Sequence, residues 1–171
     1  MRITSGGDVL FGTTAKPNGT SIYGSGFIDD TDSAMVLKLA SSATGAKTLI
    51  EFLNANGSVG SIQTSGTSTS YLTSSDYRLK ENVVEMTGAL DRVSQLKPSR
   101  FNFIADENTT VDGFLAHEVQ DIVPEAITGE KDAVDEDNNA IYQGIDQSKL
   151  VPLLVGAIQE LQKRIEILEN K

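Results

Sequence analysis

A serine, an aspartate and a lysine lie close together in the segment TSSDYRLKEN, which covers residues 73–82. Ser75 could act as a nucleophile, and Lys80 could act as the general base that removes its hydroxyl proton. A lysine is a base only when it is neutral. Because its reference pKa is about 10.4, a lysine base needs desolvation or neighbouring positive charge. Arg78 would supply such charge, whereas Asp76 would oppose it.

The spacing of Ser75 and Lys80 limits how the two side chains could meet. Residues five apart lie about 140° apart around a helix and on opposite faces of a strand, so neither element would bring them together. They could meet only across a bend in the chain or between different chains. By spacing alone, the simpler interpretation is that Ser75 caps a short helix and Lys80 is solvated.

The composition of the chain changes sharply after this serine. Residues 1–75 hold 24 Ser/Thr and 10 Gly, with 4 Lys/Arg and 5 Asp/Glu. Residues 76–171 hold 7 Ser/Thr and 5 Gly, with 10 Lys/Arg and 19 Asp/Glu. Such a shift is typical of a boundary between structural units and predicts two domains, 1–75 and 76–171.

The charge and the residue types also exclude several classes of function. A net charge of −10 argues against a nucleic-acid partner and against docking on an anionic membrane. No apolar run approaches the ~20 residues that a membrane span needs. The chain has no cysteine, which excludes disulfides and thiolate sites and suits a reducing cytosol.

The first domain is predicted to consist of short strands separated by glycine and turn residues. The candidate strands are residues 8–14, 21–28, 34–40, 48–54 and 58–64. NANG at residues 54–57 predicts a hairpin turn, because Asn-Gly tolerates the positive φ of a type I′ turn. Nine of the twelve residues in 64–75 are Ser or Thr, which favours a flexible linker; the alternative is an extended segment held by a partner.

Large apolar side chains are scarce in the first domain. A compact monomer of this composition would bury too little apolar surface to offset the entropy of ordering its chain. Intertwining of identical chains, each contributing one face of a shared core, would remedy this. We therefore expect a β-rich oligomeric stalk.

The second domain has the pattern of an α+β fold with a small antiparallel sheet. Thr87 is predicted to N-cap a helix over residues 88–97 that ends before Pro98. Its apolar face would hold Ala89, Leu90, Val93 and Leu96. Alternation predicts strands at residues 99–104, 111–119 and 140–145, with DENTT (106–110) and DEDNN (135–139) as turns.

A long C-terminal helix is predicted from Asp146 to residue 170, because Asp is a good N-cap residue and the pattern that follows is amphipathic. Apolar residues repeat over three heptads, with Val151, Ile158 and Ile165 at one position and Leu154, Leu161 and Leu168 at the other. We call these six residues the seam. Self-association and packing on the same domain both fit it, and its β-branched and leucine positions favour two strands.

Three segments together resemble a known family. They are SSDYRLKENV at residues 74–83, GFLAHEVQDIVPEAI at 113–127 and the amphipathic LVGAIQELQKRIEILENK at 154–171. In this order and spacing, the chain from Ser75 to Lys171 is similar to the endosialidase-type intramolecular chaperone domains at the C-termini of bacteriophage tail fibres and tailspikes. The first domain looks like the fibre stalk that precedes such domains.

The resemblance implies a domain that brings three chains together, promotes folding of the stalk and then cuts itself off. Carried over, the cleaved bond is Ser75–Asp76, Ser75 is the catalytic serine and Lys80 is its base. It implies a homotrimer whose folding client is the stalk of the same chain, with no cofactor and no metal. The stalk would belong to the virion tail fibre, and the released chaperone to the host cytoplasm. The alternatives are a non-cleaving structural fibre tip and an oligomeric host-binding module.

Three further features favour plain structural roles. His117 is the only histidine, and we expect it near a strand end, because no Ser or Asp is tied to it by spacing. The acidic run at residues 129–139 lacks the ligand order of an EF-hand, so a solvated loop is expected. The glycines of residues 6–12 are not followed by a helix, which argues against phosphate binding.

Overall fold

Two units make up the computed structural model, which describes residues 1–5, 7–17, 24–30 and 34–170. The first unit is Met1–Asn82 and the second is Val83–Lys171. The first consists of β-strands and one 3-10 turn, and the second contains helices and short strands. The chain is thus β-rich with a C-terminal helix, as the sequence predicts.

A four-stranded antiparallel sheet begins the first unit, with strand order β1-β2-β3-β4. Its strands are β1 (Arg2–Ile3), β2 (Val9–Phe11), β3 (Gly24–Asp30) and β4 (Ala34–Ala40). Leu10 and Ile28 are fully buried, and Pro17 is the other buried residue with an apolar side chain described in this unit. The strand predicted at residues 21–28 is confirmed from residue 24 onwards, and its first three residues lie outside the described part of the chain.

A second, three-stranded antiparallel sheet contains β5 (Lys47–Asn54), β6 (Gly57–Ser65) and β7 (Ser68–Thr73). The predicted hairpin at residues 54–57 is confirmed, although the positive φ, 93°, falls on Gly57 alone, so the turn is not type I′. The predicted flexible linker at residues 64–75 is wrong, because β7 pairs with β6 over six residue pairs. The backbone amides and carbonyls of β7 bond to β6, whereas those of a flexible linker would bond to water.

One face of this second sheet is apolar and uncovered. Ile50, Ile62 and Tyr71 stand opposite one another on the three strands. Phe52 lies beside Gly60, where a Cβ would stand 3.8 Å from the ring. No residue of β5, β6 or β7 is buried, and Tyr71 is 78% exposed. A sheet with this face in water is marginal, which fits the expectation of intertwined chains; the trimeric stalk itself stays a prediction.

The second unit has one apolar core formed by its helices. The helices are α1 (Ala89–Val93), α2 (Ala116–Gln120) and α3 (Leu150–Glu169). The strands form two pairs, β8 (Ser99–Phe103) with β9 (Asp106–Gly113) and β10 (Ile127–Thr128) with β11 (Gly144–Ile145). The buried residues are Ala89, Val119, Val123, Ala126, Leu150, Leu153 and Ala157.

The strand predicted at residues 111–119 is wrong beyond Gly113. β9 begins at Asp106, so DENTT belongs to the strand and the turn lies at residues 104–105. The chain then forms α2, which places His117 on a helix and not at a strand end. Val119 and Val123 are both buried, and residues four apart lie on the same side of a helix. Burial of this pair therefore favours a helical turn here, although the preceding residues alternate as in a strand. The strand predicted at 140–145 shortens to β11 and one bridge at Ala140.

The N-cap predicted at Thr87 is also wrong. The N-cap of α1 is Gly88, in a left-handed conformation with φ 70° and without a side-chain cap. The free amides of Ala89 and Leu90 donate instead to the Glu160 carboxylate of α3, at 2.9 and 3.0 Å. These bonds and the bonded Gly88 amide hold the pKa of Glu160 below its ordinary value. Glu160 thus caps α1, although it lies 71 residues from Ala89 in the sequence.

The long C-terminal helix is confirmed. The Asp146 carboxylate accepts from the Ser148 amide at 3.0 Å and caps a 3-10 turn at Gln147–Lys149, which continues into α3. Leu150, Leu153 and Ala157 of α3 pack into the core. The seam lies roughly 90° around the axis from these three residues. All six seam residues are at least 44% exposed, so the chain's own fold does not cover them.

Candidate serine–lysine site

The chain bends immediately after the second sheet. Ser74 is the last residue tied to that sheet, because its amide donates to the Val59 carbonyl at 3.1 Å and its hydroxyl to the Ser58 carbonyl at 3.1 Å. A 3-10 turn follows at Tyr77–Leu79. The bend therefore begins at residue 75, one residue beyond the last attachment to the sheet.

The 3-10 turn reverses the chain between Asp76 and Lys80. Asp76 is extended, with φ −63° and ψ 137°, and Lys80 is extended again, with φ −124° and ψ 141°. The Leu79 amide donates to the Asp76 carbonyl and the Lys80 amide to the Tyr77 carbonyl, both at 3.1 Å. The chain on either side of the turn can therefore approach itself, which a continuous helix or strand would prevent.

Ser75 and Lys80 meet across this turn within one chain. Lys80 Nζ donates to Ser75 Oγ at 2.8 Å. Of the two routes left open by the spacing, a bend or a contact between chains, the first is the one found. A protonated Nζ donates in this contact, and a neutral Nζ at the same distance could accept the Oγ proton.

Asp76 and Arg78 form a second contact within the same turn. Asp76 Oδ1 accepts from the Arg78 amide at 2.8 Å and from Nε at 2.9 Å, and Oδ2 accepts from Nη2 at 2.8 Å. These side-chain and then backbone bonds, together with the positive charge of Lys80, lower the pKa of Asp76. The same ion pair raises the pKa of Arg78. The Asp76 carboxylate is thus ionised at neutral pH and bonded to Arg78.

The site lies in water in the single chain. Every residue from 71 to 88 is exposed, including Ser75 and Lys80. A base of this type is effective when it is desolvated, and the single chain provides no such burial. Leu79, at the end of the turn, and three large apolar residues after it are also exposed: Val83, Val84 and Met86.

The position of Ser75 constrains the chemistry of its own peptide bond. Attack of Oγ on the carbonyl of the same residue would form a strained four-membered ring. A shift of the preceding acyl group to Oγ would break the Ser74–Ser75 bond instead. The nucleophile at the Ser75–Asp76 bond would therefore have to be another chain's Ser75 or a water held by the Ser75–Lys80 pair.

The other candidate residues are not drawn into this site. His117 lies on α2 in an open surface depression with Lys97 and Glu118, which form an ion pair at 3.1 Å. Asp135 accepts from the amides of Asp137 and Asn139, which explains the turn at residues 135–139. Among the described residues, no cluster of acidic or histidine side chains could hold a metal ion. No helix in the described part of the chain is long and apolar enough to cross a membrane.

Comparison with known proteins finds that the same segment is similar to one family model and to phage tail fibre proteins. Residues 75–128 match a peptidase family model described as "Chaperone of endosialidase". The long tail fiber proteins Gp37 of Enterobacteria phages K3 and T2 are each 33% identical to this chain over 101 residues. The probable tail fiber protein of Escherichia phage Phieco32 is 34% identical over 100 residues. Each match covers 57% of this chain but only 8%, 7% and 13% of the three relatives.

The chain therefore carries a phage tail-fibre chaperone-type domain, and the resemblance inferred from its motifs is confirmed. The family match begins at Ser75, the first residue of the serine–lysine motif. A peptidase-like character for the segment follows from the family model. Sequence patterns gave no sign of Glu160, whose partners lie on α1. They suggested Arg78 only as a positive charge near Lys80, and its contact with Asp76 was not predicted.

Proposed function

We propose that residues 76–171 align three copies of the chain, promote folding of the β-rich residues 1–75, and then release themselves by cutting the Ser75–Asp76 bond. The contact of 2.8 Å between Lys80 Nζ and Ser75 Oγ, at that bond, carries the proposal. The stalk part would enter the virion tail fibre. The released part would remain in the host cytoplasm.

The cleavage has two balanced routes. In the first, Ser75 Oγ of one chain adds to the Ser75 carbonyl carbon of a neighbour while Lys80 Nζ takes the hydroxyl proton. The C–N bond breaks, Nζ returns the proton to the Asp76 nitrogen, and water hydrolyses the resulting ester. In the second, a water held by the Ser75–Lys80 pair adds to the carbonyl directly. Both routes end with a Ser75 carboxylate and a free Asp76 amine.

Assembly would complete the site. Ser75 and Lys80 are exposed in the single chain, and an ammonium in water is a poor base. Packing of neighbouring chains around residues 71–88 would remove water and favour the neutral amine. Cleavage would then follow assembly, so that a chaperone is not lost before its client has folded.

The seam of α3 supports the assembly part of the proposal. Its six apolar residues are exposed in the single chain, at coiled-coil spacing. Covering the seam in an assembly would remove apolar surface from water and stabilise that assembly by about 25 cal/mol for each Å² buried. Because its residue types favour two strands, three-fold assembly rests on the uncovered sheet of the stalk and on the family resemblance. Equilibrium sedimentation of an uncut Ser75→Ala chain distinguishes a trimer from a dimer.

A denaturing gel of the freshly expressed chain tests the cleavage. The expected fragments have 75 and 96 residues, by count from the sequence. Edman or mass analysis of the larger fragment should find Asp76 at its N-terminus. Ser75→Ala and Lys80→Ala should each abolish the fragments, whereas the matched control Ser74→Ala should leave them. Intact wild-type chains in a stable trimer would support the non-cleaving fibre tip instead, and chains that do not form a trimer would support a generic binding module.

Co-expression distinguishes the two routes. A tagged Ser75→Ala chain retains a peptide bond at the same place but has no hydroxyl. Wild-type neighbours would cut it by the first route. The second route requires the hydroxyl of the same chain, so the tagged chain would stay intact while its wild-type neighbours are cut.

A further inference from the structure

We propose that Arg78 is a positioning residue for cleavage: it holds the Asp76 carboxylate so that Lys80 stays on the Ser75 hydroxyl. The inference rests on the proposed function, because it concerns the same peptide bond. The motif spacing had given Arg78 no role. The structure assigns it one through two contacts that share a single turn.

One residue, Arg78, holds both oxygens of the Asp76 carboxylate. All three of its described hydrogen bonds come from Arg78, one from the backbone amide and two from the guanidinium. The guanidinium fork spans both oxygens, a geometry that a lysine ammonium cannot reproduce. While Arg78 makes these bonds, the Asp76 carboxylate is held in place and does not rotate towards another cation.

Lys80 is the cation that Asp76 would otherwise attract. Its positive charge already contributes to the lowered pKa of Asp76, so the two groups interact across the turn. Its hydrogen bond nevertheless goes to Ser75 Oγ. The other titratable side chains on or beside the turn are Tyr77 and Glu81, and both are exposed. Asp76 is the carboxylate of the turn for which an interaction with the charge of Lys80 is found.

The consequence for catalysis follows from charge. A free carboxylate beside Lys80 would stabilise the ammonium and oppose its conversion to the base that the reaction needs. It would also compete with Ser75 Oγ for the Nζ hydrogens. An arginine paired with Asp76 offsets that negative charge. Arg78 therefore acts through Asp76 and does not touch the reacting atoms.

The same pair fixes the leaving side of the bond. Asp76 supplies the nitrogen that departs, and Arg78 fixes its side chain against the turn. On the other side, the backbone amide of Ser74 donates to the Val59 carbonyl of the sheet. The bond between them is therefore held at both ends, while Ser75 faces Lys80.

The test compares cleavage rates over a pH series for uncut full-length chains. Arg78→Ala should slow cleavage near neutral pH by about tenfold and move the pH midpoint of the rate upward by about one unit, the low end of the effect of an opposite charge a few ångströms away. Adding Asp76→Asn should return the midpoint to the wild-type position. Arg78→Lys should restore only part of the rate, because it pairs through a single ammonium.

Arg100→Ala is the matched control. Arg100, as exposed as Arg78, forms a bidentate pair with Asp112 on β8 and β9, at 2.7 and 3.0 Å. Its loss should change neither the rate nor the midpoint.

Two results would overturn the inference. One is a slower rate in Arg78→Ala with an unmoved midpoint, which would indicate a merely structural role. The other is an equal loss in the Asp76 and Asp76→Asn backgrounds, which would show that Arg78 does not act through Asp76. Both differ from failure of the proposed function, in which the wild-type chain itself would not be cut in a Ser75-dependent way.

Discussion

Truncation of two adjacent leucines of α3 should affect different properties, folding in one case and association in the other. Leu153 is 2% exposed and packs in the core of its own unit, whereas Leu154 is 44% exposed and belongs to the seam. The pair separates the contribution of α3 to folding from its contribution to association. Both changes are made in a Ser75→Ala chain so that all samples have the same length.

The expected cost of Leu153→Ala follows from burial. Truncating a buried leucine to alanine loses the transfer free energy and leaves a cavity, at about 2–5 kcal/mol in total. A domain of 60–100 residues loses about 4–8 °C of Tm per kcal/mol, so a cost of about 3 kcal/mol lowers the Tm of the second unit by roughly 12–24 °C. Leu154→Ala removes a half-exposed side chain and should cost less than about 1 kcal/mol in the dissociated chain.

The assay is thermal unfolding by circular dichroism at several protein concentrations, with sedimentation of the same samples. Leu153→Ala should lower the Tm at every concentration. Leu154→Ala should lower it mainly where the wild-type chain is associated, because association adds stability by mass action. If Leu154→Ala were as costly as Leu153→Ala in dissociated chains, the seam would be part of the fold of one chain, and the division of α3 into two faces would be refuted.

Three further predictions concern other contacts. Glu160→Gln should lower the Tm of the second unit near neutral pH. Because the pKa of Glu160 is lower in the folded state, its contribution is present above the unfolded pKa and is lost as the pH falls through the folded pKa, so the Tm gap to the wild type should shrink in acid. Gly156→Ala would place a Cβ 2.9 Å from Ala89 Cβ and should cost about 1–3 kcal/mol despite its better helix propensity; urea unfolding should show recovery when Ala89→Gly is added. Tyr71→Ser should leave dissociated chains folded but weaken trimers in sedimentation, because its ring lies on the uncovered sheet face.

Local patterns predicted the elements whose own residues decide them. The heptads and Asp146 predicted α3, and the short apolar run over residues 34–40 predicted β4. The Ser/Thr run at 64–75 misled, because its composition resembles a linker while its pairing with β6 lies outside the segment. Tertiary partners of this kind cannot be read from one window of sequence.

The candidate site was predictable in its residues but not in its geometry. The motif identified Ser75 and Lys80, and their spacing left a bend or a neighbouring chain as the two ways to meet. The choice depends on a 3-10 turn capped by Asp76, whose side chain also binds Arg78. Since Asp76 could cap the turn, pair with Lys80 or be solvated, residue types alone could not assign Arg78 its partner.

The two faces of α3 imply an order of events on the proposed function. Leu150, Leu153 and Ala157 form the core together with residues of α1 and α2, and Glu160 caps α1 once α3 is in place. Docking leaves the seam as the exposed stripe, so that a chain presents it after its second unit has folded. This unit includes contacts between residues as far apart as Ala89 and Glu160, but all of them lie within one chain, and we expect it to fold faster than strands intertwined between chains. Chains would therefore associate through folded second units while residues 1–75 are still unordered, and a cleavage site that needs burial would become active last.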